Sequence, residues 1–225
     1  MKTLIKKLLG IRPFMDLYEE FCEVKYEWAN DERFNNLYRD ACERTGTKSF
    51  FPHKMRSYML YELLKNIPAG EIAECGVFRG VTAYQIHRCT YRVVHLFDSF
   101  EGLSDRTPED EGEGGRGIIA CSLEEVQKNI GTGSFRYYKG WIPERFEEVK
   151  DLKFAFVHID VDVYQPTRDS LDFFYPRMVS GGIIVIDDYG FKAWPGCRKA
   201  VEEMADKHSF TVIGLTTGQG VVFKK

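Results

Sequence analysis

The chain has 225 residues, 44% of them hydrophobic, enough for one sizeable core and short for two full domains. A net charge of −3 with both signs spread along the chain argues against a nucleic-acid partner. The six cysteines (Cys22, Cys42, Cys75, Cys89, Cys121 and Cys197) form no C-x-x-C pair, which fits reduced thiols in a cytoplasmic protein and disfavours structural zinc. No apolar run approaches the ~18 residues of a membrane span.

The opening MKTLIKKLLGIRPF is basic, and Lys6, Lys7 and Arg12 break its apolar runs, so a signal peptide is disfavoured. An amphipathic segment of this kind packs on its own domain or on a partner subunit more often than on a membrane. Residues 14–45 carry aromatics at near-helical spacing and read as two short helices stopped by Gly46. Their aromatic stripe serves packing or forms a lid over a ligand. Lys54 to Ile67 is an amphipathic helix leading into the first strand, Ile72 to Cys75.

Gly76 and Gly80 then bracket a tight turn, and Val81 to Arg88 returns to helical spacing. A strand, a glycine turn and a helix bring backbone close to a nucleotide-like ligand at the carboxyl end of a sheet. The pattern is G-x-x-x-G, not the G-x-G-x-x-G of a pyrophosphate site. Glu74 at the strand end would repel a diphosphate and suits the ammonium and sulfonium of S-adenosylmethionine. Arg92 to Phe97 is a buried strand ending in Asp98, about twenty residues past the turn, the spacing of a ribose-binding carboxylate. The alternative for Asp98 is a helix cap or Asx turn.

Ser99 to Cys121 shows no period and is a loop. Ser122 with Glu125 forms a capping box for a helix through Ile130. Phe135 to Lys139 is a strand ending at Gly140 and Trp141, where an indole packs on an adenine or in the core. Lys153 to Ile159 is a strand ending in Asp160-Val161-Asp162. Thr167 to Tyr175 is a helix, closed by Pro176 and a turn at Ser180-Gly181-Gly182. Ile183 to Ile186 is a strand ending in Asp187-Asp188, Cys197 to His208 a helix, and Phe210 to Lys224 a hairpin turning at 217–220. Alternating strands and helices imply an α/β fold: a doubly wound, mostly parallel seven-stranded sheet with an antiparallel C-terminal hairpin.

Those strand ends meet in one crevice. Carboxylates crowded there repel one another unless a divalent cation joins them, and hard oxygen ligands suit magnesium. The competing reading makes each aspartate a helix cap. His158 is a satisfied strand residue or a general base beside Asp160.

The stretches AECGVFRGVTA (73–83), FDSFEGL (97–103), GWIPERF (140–146), HIDVDVYQPTRDSL (158–171), SGGIIVIDDYG (180–190) and GCRKAVEE (196–203) together resemble the macrocin-type (TylF-type) O-methyltransferases, a Rossmann-like, class I S-adenosylmethionine-dependent family. The resemblance implies that Glu74, Gly76, Phe78, Gly80 and Thr82 line the methionine end of the cofactor and that Asp98 and Ser99 hold the ribose. It places Ser122, Gly140 and Trp141 near the adenine. Asp160, Asp187 and Asp188 match the magnesium ligands, and Asp160 or Asp162 the base. A small-molecule hydroxyl on a sugar or glycosylated metabolite is the implied acceptor, with a homo-oligomer as the assembly.

Residues 1–53 carry none of these matching stretches and are expected to form a helical cap or lid, with 54–225 as the cofactor-binding domain. An NAD-dependent oxidoreductase fits the fold and lacks the third glycine. A non-catalytic nucleotide-binding module would have no use for the aspartates.

Overall fold

The computed structural model describes residues 27–49, 51–110 and 115–225. The chain divides into two compact units, residues 1–36 and 37–225. A 3-10 turn at Glu27–Asn30 precedes Asp31, whose Oδ1 accepts from the Phe34 N–H at 2.9 Å and so starts helix α1 (Glu32–Thr45). The basic opening and the expected first helix of the 14–45 stretch lie outside the described residues. Gly46, at φ +61°, follows α1 as expected.

In the second unit, α2 runs Phe51–Leu64, three residues earlier than the pattern suggested and across the expected boundary at residue 53. Pro52 is tolerated because the first helical turn has no partner for its missing N–H. The helix stops short of Ile67 because Pro68 disfavours helical geometry in the residue before it.

Strands β1 (Glu71–Cys75), β2 (Val94–Asp98), β3 (Phe135–Lys139), β4 (Phe154–Ile159), β5 (Met178–Ile186), β6 (Val212–Gly214) and β7 (Gly220–Phe223) form one sheet in the order β3-β2-β1-β4-β5-β7-β6. β7 pairs antiparallel with both β5 and β6, and the other pairs are parallel. The expected seven-stranded, doubly wound sheet with a terminal hairpin is therefore the fold.

The helices α3 (Val81–Thr90), α4 (Leu123–Ile130), α5 (Tyr164–Phe174) and α6 (Pro195–His208) complete it. Strand alternation divides the core in two. Ile72, Leu96, Phe156 and Val185 pack with Leu60 and Leu64 of α2, Ile86 of α3 and Val126 of α4. Ala73, Phe97, Val157 and Ile184 pack with Leu171 and Phe174 of α5 and Val201 of α6. Among the described residues no helix is long and apolar enough to cross a membrane.

One expectation needs correction. Ser180, Gly181 and Gly182 lie inside β5, not in a turn before it. Between Phe154↔Met178 and Phe156↔Ile183 the register shifts, so these residues are a bulge whose ends stay bonded. Gly181 N–H donates to Lys224 O, and Lys224 N–H to Gly182 O, both at 2.8 Å.

The long loop after β2 has no strand or helix among its described residues, yet it is anchored. Leu103 and Ile118 pair at its neck (Leu103 N–H to Ile118 O, 2.9 Å). Asp110 is buried and accepts from the Tyr164 N–H at 2.8 Å, capping α5 from outside its own sequence. A Cβ on Gly196 would meet Asp110 Oδ1 at 1.9 Å, so that glycine opens the space for the cap.

Candidate active site

The carboxyl ends of the central strands each continue for one more bond. Gly76 N–H donates to Phe97 O at 2.9 Å, Asp160 N–H to Cys75 O at 2.8 Å and Asp187 N–H to Ile159 O at 2.9 Å. This continuation sets the glycine turn and the aspartates side by side. A Cβ on Gly76 would lie 1.8 Å from Asp160 O, so glycine is what allows the two strand ends to touch.

Above them opens a cavity of about 480 Å³. Its walls include Gly76, Phe78, Thr82, Asp98, Ser99, Trp141, Asp160, Asp162, Asp187 and Asp188, ten of the fourteen residues expected from the sequence. Glu74, Gly80, Ser122 and Gly140 are not in the wall. Gly80 lies under Ile130, where a Cβ would come within 3.0 Å. Ser122 caps α4, accepting from the Glu125 N–H at 3.2 Å, which is the N-cap half of the expected capping box; the Glu125 carboxylate accepts from Arg79 at 2.9 Å. Gly140 precedes Trp141, whose ring carries the Arg116 guanidinium 4.5 Å from its centroid.

Asp98 organises the turn. Its Oδ2 accepts from Val77 N–H at 2.6 Å and Phe78 N–H at 3.2 Å, and its Oδ1 from Phe100 N–H at 2.6 Å. Burial raises the Asp98 carboxyl even against these three donors. Two oxygens offer about four lone-pair positions, so one acceptor position remains for a ligand. Ser99 is held by its own turn, donating to Gly102 O and accepting from the Glu101 N–H, both at 3.0 Å.

From the buried strands to the cavity wall, Glu74, His158 and Asp187 form a chain. His158 Nδ1 lies 2.9 Å from Glu74 Oε1 and Nε2 lies 3.5 Å from Asp187 Oδ1. Burial alone would lower the His158 pKa, but the bonds to Asp187 and Glu74 outweigh it and push it up to about 10. His158 is the satisfied strand histidine of the two readings. Asp187 is buried, and its bonds to His158 and the charge of Arg56 hold it below the ordinary carboxylate value.

The other three carboxylates, Asp160, Asp162 and Asp188, lie close together. Ligand atoms of Asp160, Asp162 and Asp188 lie within 4.8 Å of one another, as do those of His158, Asp160 and Asp187. Burial and mutual repulsion raise all three of the first group: Asp160 well above its ordinary value, Asp162 to about 7 and Asp188 to about 8. Asp188 Oδ2 is buried without a partner. Asp162 sits at φ +60° with Val163 N–H only 2.6 Å from Val161 O, a tight, strained turn that aims its carboxyl at the others.

Two residues at this site are absent from the sequence expectations. Arg56 of α2 pairs with Asp187 Oδ2 and lies 3.9 Å from Asp188 Oδ1. Gln219, in the hairpin turn, donates from Nε2 to Asp187 Oδ1 at 2.8 Å. No spacing rule reaches over these separations. For Glu74 a signal existed: it is directly opposite His158 in the β1–β4 register, and a polar residue in each of two buried neighbouring strands points to a pair.

The macrocin-O-methyltransferase (TylF) family model matches residues 53–225. A Streptomyces olivaceus tetracenomycin-rhamnoside 4'-O-methyltransferase is 27% identical over 186 residues, covering 74% of this chain and 70% of that protein. The demethyldecarbamoylnovobiocin O-methyltransferase of Streptomyces niveus is 30% identical over 161 residues, 63% of this chain and 60% of that one. Among solved structures, the O-methyltransferase NovP superposes with a TM-score of 0.60 at 25% identity, over 76% of this chain and 79% of NovP. The calicheamicin methyltransferase CalS11 shares the fold, with a TM-score of 0.63 at 18% identity over 86% of this chain and 93% of its own. With the glycine turn, the strand-end aspartates and the matched span of 173 residues (53–225) in agreement, the chain belongs to the macrocin-O-methyltransferase (TylF) family and is an O-methyltransferase.

Proposed function

We propose that the chain methylates a hydroxyl of a sugar or glycosylated small molecule, with S-adenosylmethionine as donor and a magnesium ion at the strand-end carboxylates. One observation carries this reading: the glycine turn with Asp98 and the carboxylate group open into the same cavity. Its volume suits a small ligand. The relatives support the acceptor class, since two of them are named for a rhamnosyl tetracenomycin and for mycinamicin III.

The residues fit both groups. For the donor, Gly76 removes the Cβ that would block the turn, Asp98 keeps an acceptor position, and Trp141 offers an indole face at the wall. Glu74 Oε2 is buried without a partner under the turn, available to an ammonium or to water linking to one. For the cation, Asp160, Asp162 and Asp188 supply hard oxygens already close enough to share an ion, and the orphaned Asp188 Oδ2 is a ready ligand. Asp187 is the fourth candidate ligand. Bound there, S-adenosylmethionine supplies an activated methyl group and magnesium supplies charge that acidifies an acceptor hydroxyl.

The chain's own residues do the rest. The cavity wall orients the acceptor hydroxyl, and orientation accounts for much of the rate when the methyl group is already activated. Asp162, or Asp160 beside it, receives the hydroxyl proton. Tyr38, Thr47, His53 and Leu60 cover the cavity from the segment before β1, which supports a lid role for that stretch and helps exclude water.

The reading is tested by titrating S-adenosylhomocysteine into the protein with and without magnesium, then assaying transfer of labelled methyl groups to a panel of glycosides. Binding together with transfer to a glycoside hydroxyl is expected. Failure to bind the homocysteine product, or transfer only to non-glycosylated acceptors, would overturn the corresponding half.

A further inference from the structure

The residue that most constrains the carboxylate group is a cation from a helix. Arg56 Nη1 is hydrogen-bonded to Asp187 Oδ2 and lies 3.9 Å from Asp188 Oδ1. Asp187 Oδ1 is already occupied by Gln219 at 2.8 Å and by His158 at 3.5 Å. Oδ2 is therefore the Asp187 oxygen left for any other positive group, and Arg56 is on it.

The hold on Arg56 is incomplete. Its Nε is buried without a partner, and only the two terminal nitrogens are engaged. Nη2 lies 3.2 Å from His53 Nδ1, and the guanidinium carbon is 5.1 Å from the Phe191 ring centroid. Both neighbours line the same cavity and already lie within reach of the guanidinium.

We propose that Arg56 is an internal counter-cation: it neutralises Asp187 in the metal-free chain and is displaced when a divalent cation takes the strand-end carboxylates. The inference rests on the cation site of the proposed function. A divalent ion on Asp187 Oδ2 and a guanidinium on the same oxygen exclude each other by contact and by like charge. An ion held by Asp160, Asp162 and Asp188 still meets Arg56 near Asp188. Cation affinity is therefore set by competition with Arg56, and cation binding frees a positive side chain inside the cavity beside His53 and Phe191.

The test is manganese binding to the full-length protein, followed by the paramagnetic resonance signal of free Mn2+, with no donor or acceptor present. Arg56→Met and Arg56→Gln are each expected to bind Mn2+ about tenfold more tightly than wild type, because the competitor is gone. Arg56→Lys keeps a charge and is expected to stay within about threefold of wild type. Circular dichroism and melting establish that each variant is folded, and either neutral variant suffices. Unchanged or weaker Mn2+ binding by a folded neutral variant overturns the role of Arg56 and leaves the cation site standing. No Mn2+ binding by wild type or variants overturns the cation site and this inference with it.

Discussion

Glu74 Oε1 and His158 Nδ1 lie 2.9 Å apart with both side chains only 1% exposed, on directly opposed residues of adjacent strands. Truncating Glu74 leaves His158 Nδ1 buried without its partner, with only the Asp187 contact remaining. Glu74→Ala is expected to lower unfolding free energy by about 3–5 kcal/mol, and Glu74→Gln, which keeps an acceptor oxygen, by less. Urea unfolding of the two variants checks the order. Equal losses would mean that packing, not the bond to His158, accounts for the effect.

Gly76 is fixed by close approach as well as by its φ of +85°. A methyl group there would overlap Asp160 O and drive β1 and β4 apart at the site. Gly76→Ala is expected to cost about 3 kcal/mol or more and to weaken S-adenosylhomocysteine binding, read by denaturation and titration calorimetry on the same preparation.

Asp98 holds three backbone donors of the turn and the loop beyond it. Asp98→Ala strands Val77, Phe78 and Phe100 N–H groups, so the turn loses its shape before any ligand contact is counted. Cofactor affinity is expected to drop by about 10–100-fold in a titration with S-adenosylhomocysteine. A loss under twofold would remove Asp98 from the site.

His95 gives a pH dependence away from the cavity. It stacks on Tyr138, with Nδ1 2.8 Å from the Tyr138 hydroxyl and Nε2 3.3 Å from Glu71 Oε2. Burial outweighs the bond to Glu71 and lowers its pKa from 6.5. The unfolded chain therefore takes up the proton first as pH falls. The contribution is full above pH 6.5 and declines below it, through the interval down to the folded value. His95→Phe should flatten the part of the stability–pH curve below pH 6.5 that this group supplies, measured as the difference between wild type and variant in urea unfolding.

Much of the site was legible because strand ends in an α/β sheet are legible. A buried apolar run that stops at an acid, as at Asp98, Asp160 and Asp187, marks both the end of the strand and the side on which the acid lies. Contacts made by tertiary approach were not. Arg56 reads as one charged residue on an amphipathic helix, and nothing local says that α2 carries it 131 positions along the chain to Asp187. The Ser180-Gly181-Gly182 stretch has turn composition and becomes a bulge because Lys224 and Phe154 hold its two ends in the sheet. Glu74 reads as a ligand for a positive cofactor, and only the strand register adds that His158 lies opposite it.

The loop between β2 and α4 is gripped at its neck by Leu103 and Ile118 and in its middle by Asp110, while Leu103, Ser104 and Ile119 face the cavity. A segment tied down at both points can change its intervening residues without shifting the strand ends that carry the carboxylates. The outer wall of the cavity and the carboxylates of the strand ends are thereby carried by separate parts of the chain, one a loop and the other the sheet.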